Sequence, residues 1–112
     1  MNRRIQESVR VVLTMLAESR FADVEKLTKG TRLNASAMAL AINDYGKTLV
    51  MPPESGFRLM NVIEVKNAQP RRWSIIMPLW TREEGRSDLT MELTVIETIN
   101  GISVELDNIH VL

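Results

Sequence analysis

The sequence contains no cysteine and a single histidine among its 112 residues. The absence of cysteine excludes disulfide scaffolds, cysteine nucleophiles, zinc fingers and iron–sulfur sites. One histidine excludes a metal site built from several imidazoles. The 14 basic and 14 acidic side chains leave no net charge, which argues against a dedicated nucleic-acid-binding protein. We therefore expect no metal, no cofactor and no nucleic-acid partner.

Long apolar runs, internal repeats and low-complexity segments are also missing. Because a spanning helix needs a run of about 18 apolar residues, we expect no membrane segment. The short apolar stretch 11–17 is not followed by a signal-peptide cleavage site, so we expect a cytoplasmic protein. The length predicts one domain over residues 1–112. The composition, 45% hydrophobic and 25% charged, is typical of a soluble globular chain.

Apolar residues recur with helical spacing in the N-terminal part of the chain. One helix is predicted over about residues 3–19. Its apolar face consists of Ile5, Val9, Val12, Leu13 and Leu16. A second helix is predicted over about residues 22–29, with Val24 and Leu27 facing inward and Gly30 ending it.

A third helix is predicted over about residues 35–45. Asn34 is a good N-cap and Gly46 a natural end for it. Its inward-facing residues are expected to be Met38, Ile42 and Tyr45. The paired prolines in residues 51–56 then indicate a loop.

The rest of the chain is rich in strand-forming residues. Four runs are separated by turn signals, and they cover residues 57–66, 72–81, 88–98 and 102–112. A charged loop, residues 82–87, separates the second run from the third, and Asn100-Gly101 is a strong hairpin signal before the fourth. Helices followed by a strand meander predict an α+β fold, with about three helices on one face of a curved, four-stranded antiparallel sheet.

Two irregularities are predicted within the strands. In the last run, Ile102, Val104 and Leu106 alternate in phase, whereas Ile109 and Val111 are out of phase with them. A β-bulge near Asp107-Asn108 would restore the alternation, because one extra residue exchanges the two faces. Pro78, inside the second run, suggests an edge position or another bulge.

The residues Leu79-Trp-Thr-Arg-Glu-Glu-Gly-Arg-Ser-Asp-Leu-Thr90, then 92–94 and the terminal 107–112, are distinctive. They resemble a family of small bacterial proteins of unknown function, and the likeness covers most of the chain. The resemblance implies a compact α+β domain of the cystatin-like or nuclear-transport-factor-2-like type. Proteins of the latter type usually place a helix between early strands, whereas three helices come first here. The family implies no activity, so no catalytic residue is carried over.

The charged loop is the first candidate site. It and the residue after it hold three carboxylates and two guanidinium groups: Arg82, Glu83, Glu84, Arg86 and Asp88. On a hairpin tip, these groups could bind a protein partner or a polar ligand. The alternative is a solvated turn whose opposite charges satisfy one another. The two arginines argue against a cation site.

The polar side of the third strand run is the second candidate. Thr90, Glu92 and Thr94 alternate along it. If that side is half-covered, Glu92 could act as a buried general base; otherwise the three residues form a solvent-facing or dimer-facing strip. His110 would be the imidazole of any Ser-His-Asp or Asp-His arrangement, with Asp88 or Asp107 as its orienting group, although no nucleophile elbow accompanies it. The alternative is a structural hydrogen bond within the last strand.

Trp73 and Trp80 lie on opposite faces of an unbroken strand, so one can belong to the core while the other is exposed. An exposed Trp80 beside Arg82 would be a good interface anchor. The alternative is that both rings pack in or against the core.

These observations favour a small, non-enzymatic binding protein that acts through its sheet face and charged loop. We expect a homodimer, because helices on one face leave the other face of the sheet uncovered. An immunity protein, which neutralises a toxin, is one concrete form. The alternative is a small-molecule carrier or an isomerase- or cyclase-like enzyme, with a cavity lined by Tyr45, Thr90, Glu92 and His110. A purely structural subunit of a larger assembly is a third option.

Overall fold

The computed structural model of the protein describes residues 3–112. Three helices precede five strands, and one 3₁₀ helix lies between the first two strands. The elements in chain order are α1 (Arg3–Ala17), α2 (Phe21–Thr28), α3 (Ala35–Tyr45), β1 (Leu49–Val50), the 3₁₀ helix (Glu54–Leu59), β2 (Asn61–Glu64), β3 (Arg72–Thr81), β4 (Gly85–Thr98) and β5 (Gly101–Val111). The predicted α+β class, with N-terminal helices on an antiparallel sheet, is confirmed.

The three helices agree closely with their predicted bounds. All five predicted apolar residues of α1 are buried. Asn34 caps α3 by accepting a hydrogen bond from the backbone N–H of Ala37, and Gly46 ends it in a left-handed conformation with φ +78°. Helix α2 buries Val24, but the prediction that Leu27 faces inward is wrong, since that side chain is 43% exposed. Lys29, not Gly30, is the residue that ends α2.

The first predicted strand is the least accurate part of the sequence analysis. Residues 54–59 form a 3₁₀ helix, so only Asn61–Glu64 of the predicted run 57–66 is a strand. The predicted loop 51–56 therefore ends inside this helix. The short strand β1, Leu49–Val50, was not predicted. Two residues carry too little hydrophobic periodicity for a strand to be recognised.

The sheet is antiparallel, and β3 lies at its centre with β4 and β5 following on one side. On the other side, β3 pairs with β2 through Trp73–Ile76 and with β1 through Trp80–Thr81. Pro78 lies between these two stretches, and the β3–β4 register shifts between Pro78 and Trp80. The bulge alternative for Pro78 is therefore confirmed. Pro78 also lies at a local edge of the sheet, because neither β1 nor β2 pairs with it on that side of β3.

The second bulge lies where the phase change predicts it. Glu92 pairs with Asn108 and Leu93 pairs with Leu106, so Asp107 is the extra residue of β5. Beyond the bulge, Ile109 turns to the core and is 5% exposed, whereas Val111 is 56% exposed at the strand end. The bulge thus gives both halves of β5 a buried apolar residue.

The core lies between the helices and one face of the sheet. Helix residues such as Val9, Val12 and Met38 join the inward residues of β3 and β4 in one apolar cluster. Among the latter, the predicted set Leu89, Met91, Leu93 and Val95 is buried throughout. Within residues 3–112, no helix is long and apolar enough to cross a membrane.

Candidate functional site

The sheet has a second face, opposite the core, which we call the outer face. Because side chains alternate along a strand, it carries Ile76, Pro78 and Trp80 of β3, and each of them remains partly exposed. The outer residues of the two following strands are Arg86, Asp88, Thr90, Glu92, Thr94, Asn108 and His110. Most of the residues that the sequence singled out therefore share one surface.

A depression of about 290 Å³ lies on the outer face. Ile76 and Pro78 supply apolar side chains to it, together with Leu59 and Leu112, which are 44% and 83% exposed. Its polar lining includes Asn61, Ser87 and Thr90. With Arg86 and Asp88 included, five of its nine lining residues are polar or charged and four are apolar, so the depression has a mixed lining.

Two opposite charges stand at this depression. Arg86 and Asp88 are both exposed and both line it. Within residues 3–112, neither side chain forms a hydrogen bond or an ion pair. Because strand residues two apart point to the same side, the guanidinium and the carboxylate are presented side by side to whatever binds there.

Glu92 and His110 meet next to the depression. His110 Nε2 is in hydrogen-bond contact with Glu92 Oε2, and about a third of each side chain is exposed. The bulge at Asp107 makes this contact, because it turns His110 to the outer face, where it pairs with Thr90. The sequence analysis placed both residues in one candidate cavity, but its choice of Asp88 or Asp107 as the partner of His110 is wrong, since Glu92 takes that place.

Trp80 is only partly available to a partner. Its ring edge packs against the 3₁₀ segment so tightly that a Cβ added at Gly56 would lie 3.0 Å from Trp80 Cη2. The other tryptophan, Trp73, belongs to the core and is 9% exposed. The two rings thus lie on opposite faces, as the sequence predicts. Because the Trp80 ring packs against the 3₁₀ segment, it does not project from the surface as an interface anchor would.

The charged hairpin is shorter than predicted, because Gly85 to Ser87 already belong to β4. Its two glutamates hold the preceding loop in place. Glu83 accepts hydrogen bonds from the backbone N–H of Thr48 (2.8 Å) and from its hydroxyl (2.9 Å). Glu84 accepts one from the Tyr45 hydroxyl at 2.7 Å. Arg82, at the tip, is exposed.

These hydrogen bonds change the acidity of both partners. The Thr48 backbone N–H and then its hydroxyl lower the pKa of Glu83, because they stabilise the carboxylate. The hydrogen bond to Glu84 raises the pKa of Tyr45, because the phenol must stay protonated to donate it. Tyr45 therefore binds the hairpin through Glu84. Of the four residues predicted to line a cavity, Thr90 is the one that lines the depression.

A larger depression of about 430 Å³ lies along α1, and the sequence analysis did not anticipate it. Val11, which falls outside the buried stripe of α1, and Met15 contribute to its lining. Its two guanidinium groups already have carboxylate partners: Arg10 binds Glu54, and Arg20 binds Asp23. Within residues 3–112, Arg86 and Asp88 on the outer face have no such partners, so the outer face is the stronger candidate.

Metal binding has no support in the part of the chain that the structure describes. No three acidic or histidine side chains of residues 3–112 converge as metal ligands would. Glu92 and His110 form a pair without a third such group. The site is thus defined by a depression of mixed lining, by two charges that have no partner within residues 3–112, and by the contact between Glu92 and His110.

The fold and site define a small α+β domain whose helices cover one face of an antiparallel sheet and leave a polar and apolar surface on the other. A family model described as a domain of unknown function (DUF7668) matches residues 13–112. The chain belongs to this family, which agrees with the resemblance to an uncharacterised family noted in the sequence. The search of curated proteins and the search of solved structures found no match.

Proposed function

We propose that the protein is a non-enzymatic binding protein that binds a protein partner on the outer face of its sheet. The observation that carries this proposal is that Arg86 and Asp88, which have no partner within residues 3–112, lie at a depression that also exposes apolar side chains. Protein interfaces typically have an apolar centre surrounded by polar residues. Two opposite charges next to exposed apolar side chains fit this arrangement.

The size of the apolar surface favours a protein over a small molecule. The depression, at about 290 Å³, is at or below the lower end of small-molecule pockets, roughly 300 Å³. Exposed apolar groups continue on both sides of it, with Leu112 at 83% and Ile63 at 54% exposure. A broad, shallow surface of this kind suits a partner that covers several residues of three strands.

The sequence analysis proposed the hairpin tip as the partner contact, whereas the hydrogen bonds of the two hairpin glutamates favour the sheet face instead. Glu83 and Glu84 are engaged with Thr48 and Tyr45, so reversing their charge would loosen the hairpin and alter binding indirectly. If the protein acts as an immunity protein, the inhibitory contact is therefore expected at Arg86 and Asp88.

Partner binding on the outer face is tested by replacing one of two isoleucines with lysine. Ile76→Lys places an ammonium group in the depression, where it faces Glu92 across the β3–β4 pair, so the fold is expected to tolerate it. Ile99→Lys is the matched control, because Ile99 is 99% exposed in the β4–β5 turn. Native mass spectrometry of the protein purified from its host is expected to show a polypeptide complex for the wild type and Ile99→Lys. The complex should be lost in Ile76→Lys.

A result in which all three proteins are bare monomers at every concentration would contradict the proposal. So would a complex that survives Ile76→Lys at wild-type abundance, since it would have to form elsewhere. Circular dichroism of each variant separates loss of binding from loss of fold.

The contact between Glu92 and His110 favours a second candidate function. A carboxylate hydrogen-bonded to an imidazole can move a proton to or from a bound molecule, as in the isomerase- or cyclase-like alternative. This candidate expects a small molecule that stays bound in the native mass spectrum and is released by His110→Gln. A wild-type spectrum without added mass would argue against it.

A further inference from the structure

We propose that the partner bound by the outer face is a second copy of this chain, arranged about a two-fold axis. In this arrangement, Arg86 of each copy pairs with the partner's Asp88. The inference rests on the proposed function, that the outer face binds a protein, and it names that protein.

The reciprocal pairing follows from the placement of the two charges. Arg86 and Asp88 lie on the same side of β4 and have opposite signs. A two-fold axis that lies in the interface, perpendicular to β4, and passes between these two residues reverses the direction of the strand. Residue 86 of one copy then faces residue 88 of the other, and symmetry generates the reverse contact. A patch with one positive and one negative charge is therefore complementary to a second copy of itself. In the dimer, Arg86 and Asp88 each gain the charged partner that they lack within residues 3–112.

The apolar groups around these charges would be buried by the same contact. Leu59 and Leu112 flank the depression and are 44% and 83% exposed. Between them, Ile76 and Pro78 form an apolar lining. When two such surfaces associate, apolar area on both copies is removed from water. The hydrophobic effect then adds a non-directional attraction to the charge pairing.

The whole-chain charge does not oppose the contact. With 14 basic and 14 acidic side chains, the chain has no net charge and a pI of about 6.6. Two copies therefore approach near neutral pH without the long-range repulsion that keeps strongly charged proteins apart.

Charge reversal tests the pairing directly. Arg86→Glu gives a patch with two negative charges, and Asp88→Arg gives one with two positive charges. Each single variant repels its own copy, so its dimer dissociation constant is expected to rise at least tenfold. Mixing the two variants should yield a heterodimer, because each negative group then faces a positive one. The double variant R86E/D88R exchanges the two signs and should restore the homodimer.

Sedimentation equilibrium over a range of protein concentrations measures these masses. Arg82→Glu is the control, because Arg82 is exposed at the hairpin tip and is not part of the depression lining; this variant should dimerise like the wild type. Circular dichroism reports whether each variant is folded, and both substituted positions are exposed.

Three results would overturn the inference. They are a wild type that stays monomeric, single variants that dimerise like the wild type, and a mixture that forms no heterodimer while both components are folded. If the wild type is monomeric but forms a complex with another polypeptide that Ile76→Lys abolishes, the proposed function stands and this inference fails. If no polypeptide complex forms at all, both fail.

Discussion

Three exposed glutamates accept hydrogen bonds that favour their ionised form. Arg10 lowers the pKa of Glu54, and Arg71 lowers that of Glu64, in each case chiefly through hydrogen bonds from the guanidinium group. The backbone N–H of Thr48 has the same effect on Glu83. Two of the three connect distant parts of the chain: Glu54 is 44 residues from Arg10, and Glu83 is 35 residues from Thr48.

The first prediction concerns pH. A carboxyl group whose pKa is lowered by folding adds stability at pH values above its ordinary pKa, which is 4.5 for Glu83. This stability is lost as the pH falls through the lower, folded pKa. The free energy of unfolding is therefore expected to decrease below about pH 4.5. Glu83→Gln should reduce this decrease, as measured by urea denaturation at a series of pH values.

Glu105→Gln is the control for this measurement, because the Glu105 side chain accepts no hydrogen bond among residues 3–112. It should leave the pH dependence as it is in the wild type. Equal pH dependence in Glu83→Gln and the wild type would mean that the hydrogen bonds of Thr48 contribute nothing to acid stability.

Single residues differ in how much the sequence reveals about them. The cap at Asn34 was predicted because its partner, Ala37, is only three residues away. The partner of Glu83 is Thr48, which is 35 residues away. Local spacing contains no information on that pair, so the sequence analysis could treat Glu83 only as part of a charged loop.

At the scale of elements, the bulge at Asp107 decides what the end of β5 presents on each face. Before it, Val104 and Leu106 face the core; after it, Ile109 does so and His110 turns outward. The side chain of Asp107 also accepts a hydrogen bond from the Thr94 hydroxyl at 2.6 Å. One extra residue thus supports both the core and the contact between Glu92 and His110.

Deletion of Asp107 is therefore expected to destabilise the protein severely. Without the extra residue, continued pairing with β4 would turn Ile109 outward and His110 into the core. We expect a loss of roughly 2–5 kcal/mol, the range for removing a large apolar side chain from a core. Urea denaturation measures the loss.

Asp107→Asn is the matched variant, because it keeps the residue count and an oxygen that can accept from Thr94. Its stability should stay much closer to that of the wild type. A deletion variant as stable as Asp107→Asn would show that β5 does not depend on the bulge for its register.

At the scale of the whole molecule, α1 covers the core face over its full length. The family match begins at residue 13, yet Ile5, Val9 and Val12, which precede it, are 2%, 0% and 0% exposed. The domain therefore extends beyond the matched residues. Residues 3–12 make up two thirds of α1, and their removal would expose the core residues that Ile5, Val9 and Val12 cover.

The corresponding prediction is that the fragment 13–112 does not fold as the full chain does. A milder change, Ile5→Ala, is expected to cost about 2–5 kcal/mol, because it leaves a cavity in the core. Val11→Ala, on the exposed side of the same helix, is expected to cost about 0.5 kcal/mol or less. Thermal or urea denaturation compares the three proteins, and a stable, cooperative fragment would contradict the prediction.

The sequence by itself determined the fold class, the helices, the long strands and the bulge. Each of these depends on periodicity: apolar residues repeat with helical spacing in α1 and alternate in β4. Hydrophobic periodicity is short or absent at β1 and at the 3₁₀ helix of residues 54–59, so the sequence did not predict these two elements. There, contacts with β3 and with Arg10 decide the conformation.

Only the tertiary structure decided which candidate residues act together. It separated Glu83 and Glu84, which hold Thr48 and Tyr45, from Arg86 and Asp88, which are without such partners in residues 3–112. Strand pairing also brought Glu92 and His110, 18 residues apart, into contact. A sequence orders residues along one dimension, whereas a binding surface is formed by neighbours across strands, and the register that makes them neighbours results from packing of the whole core.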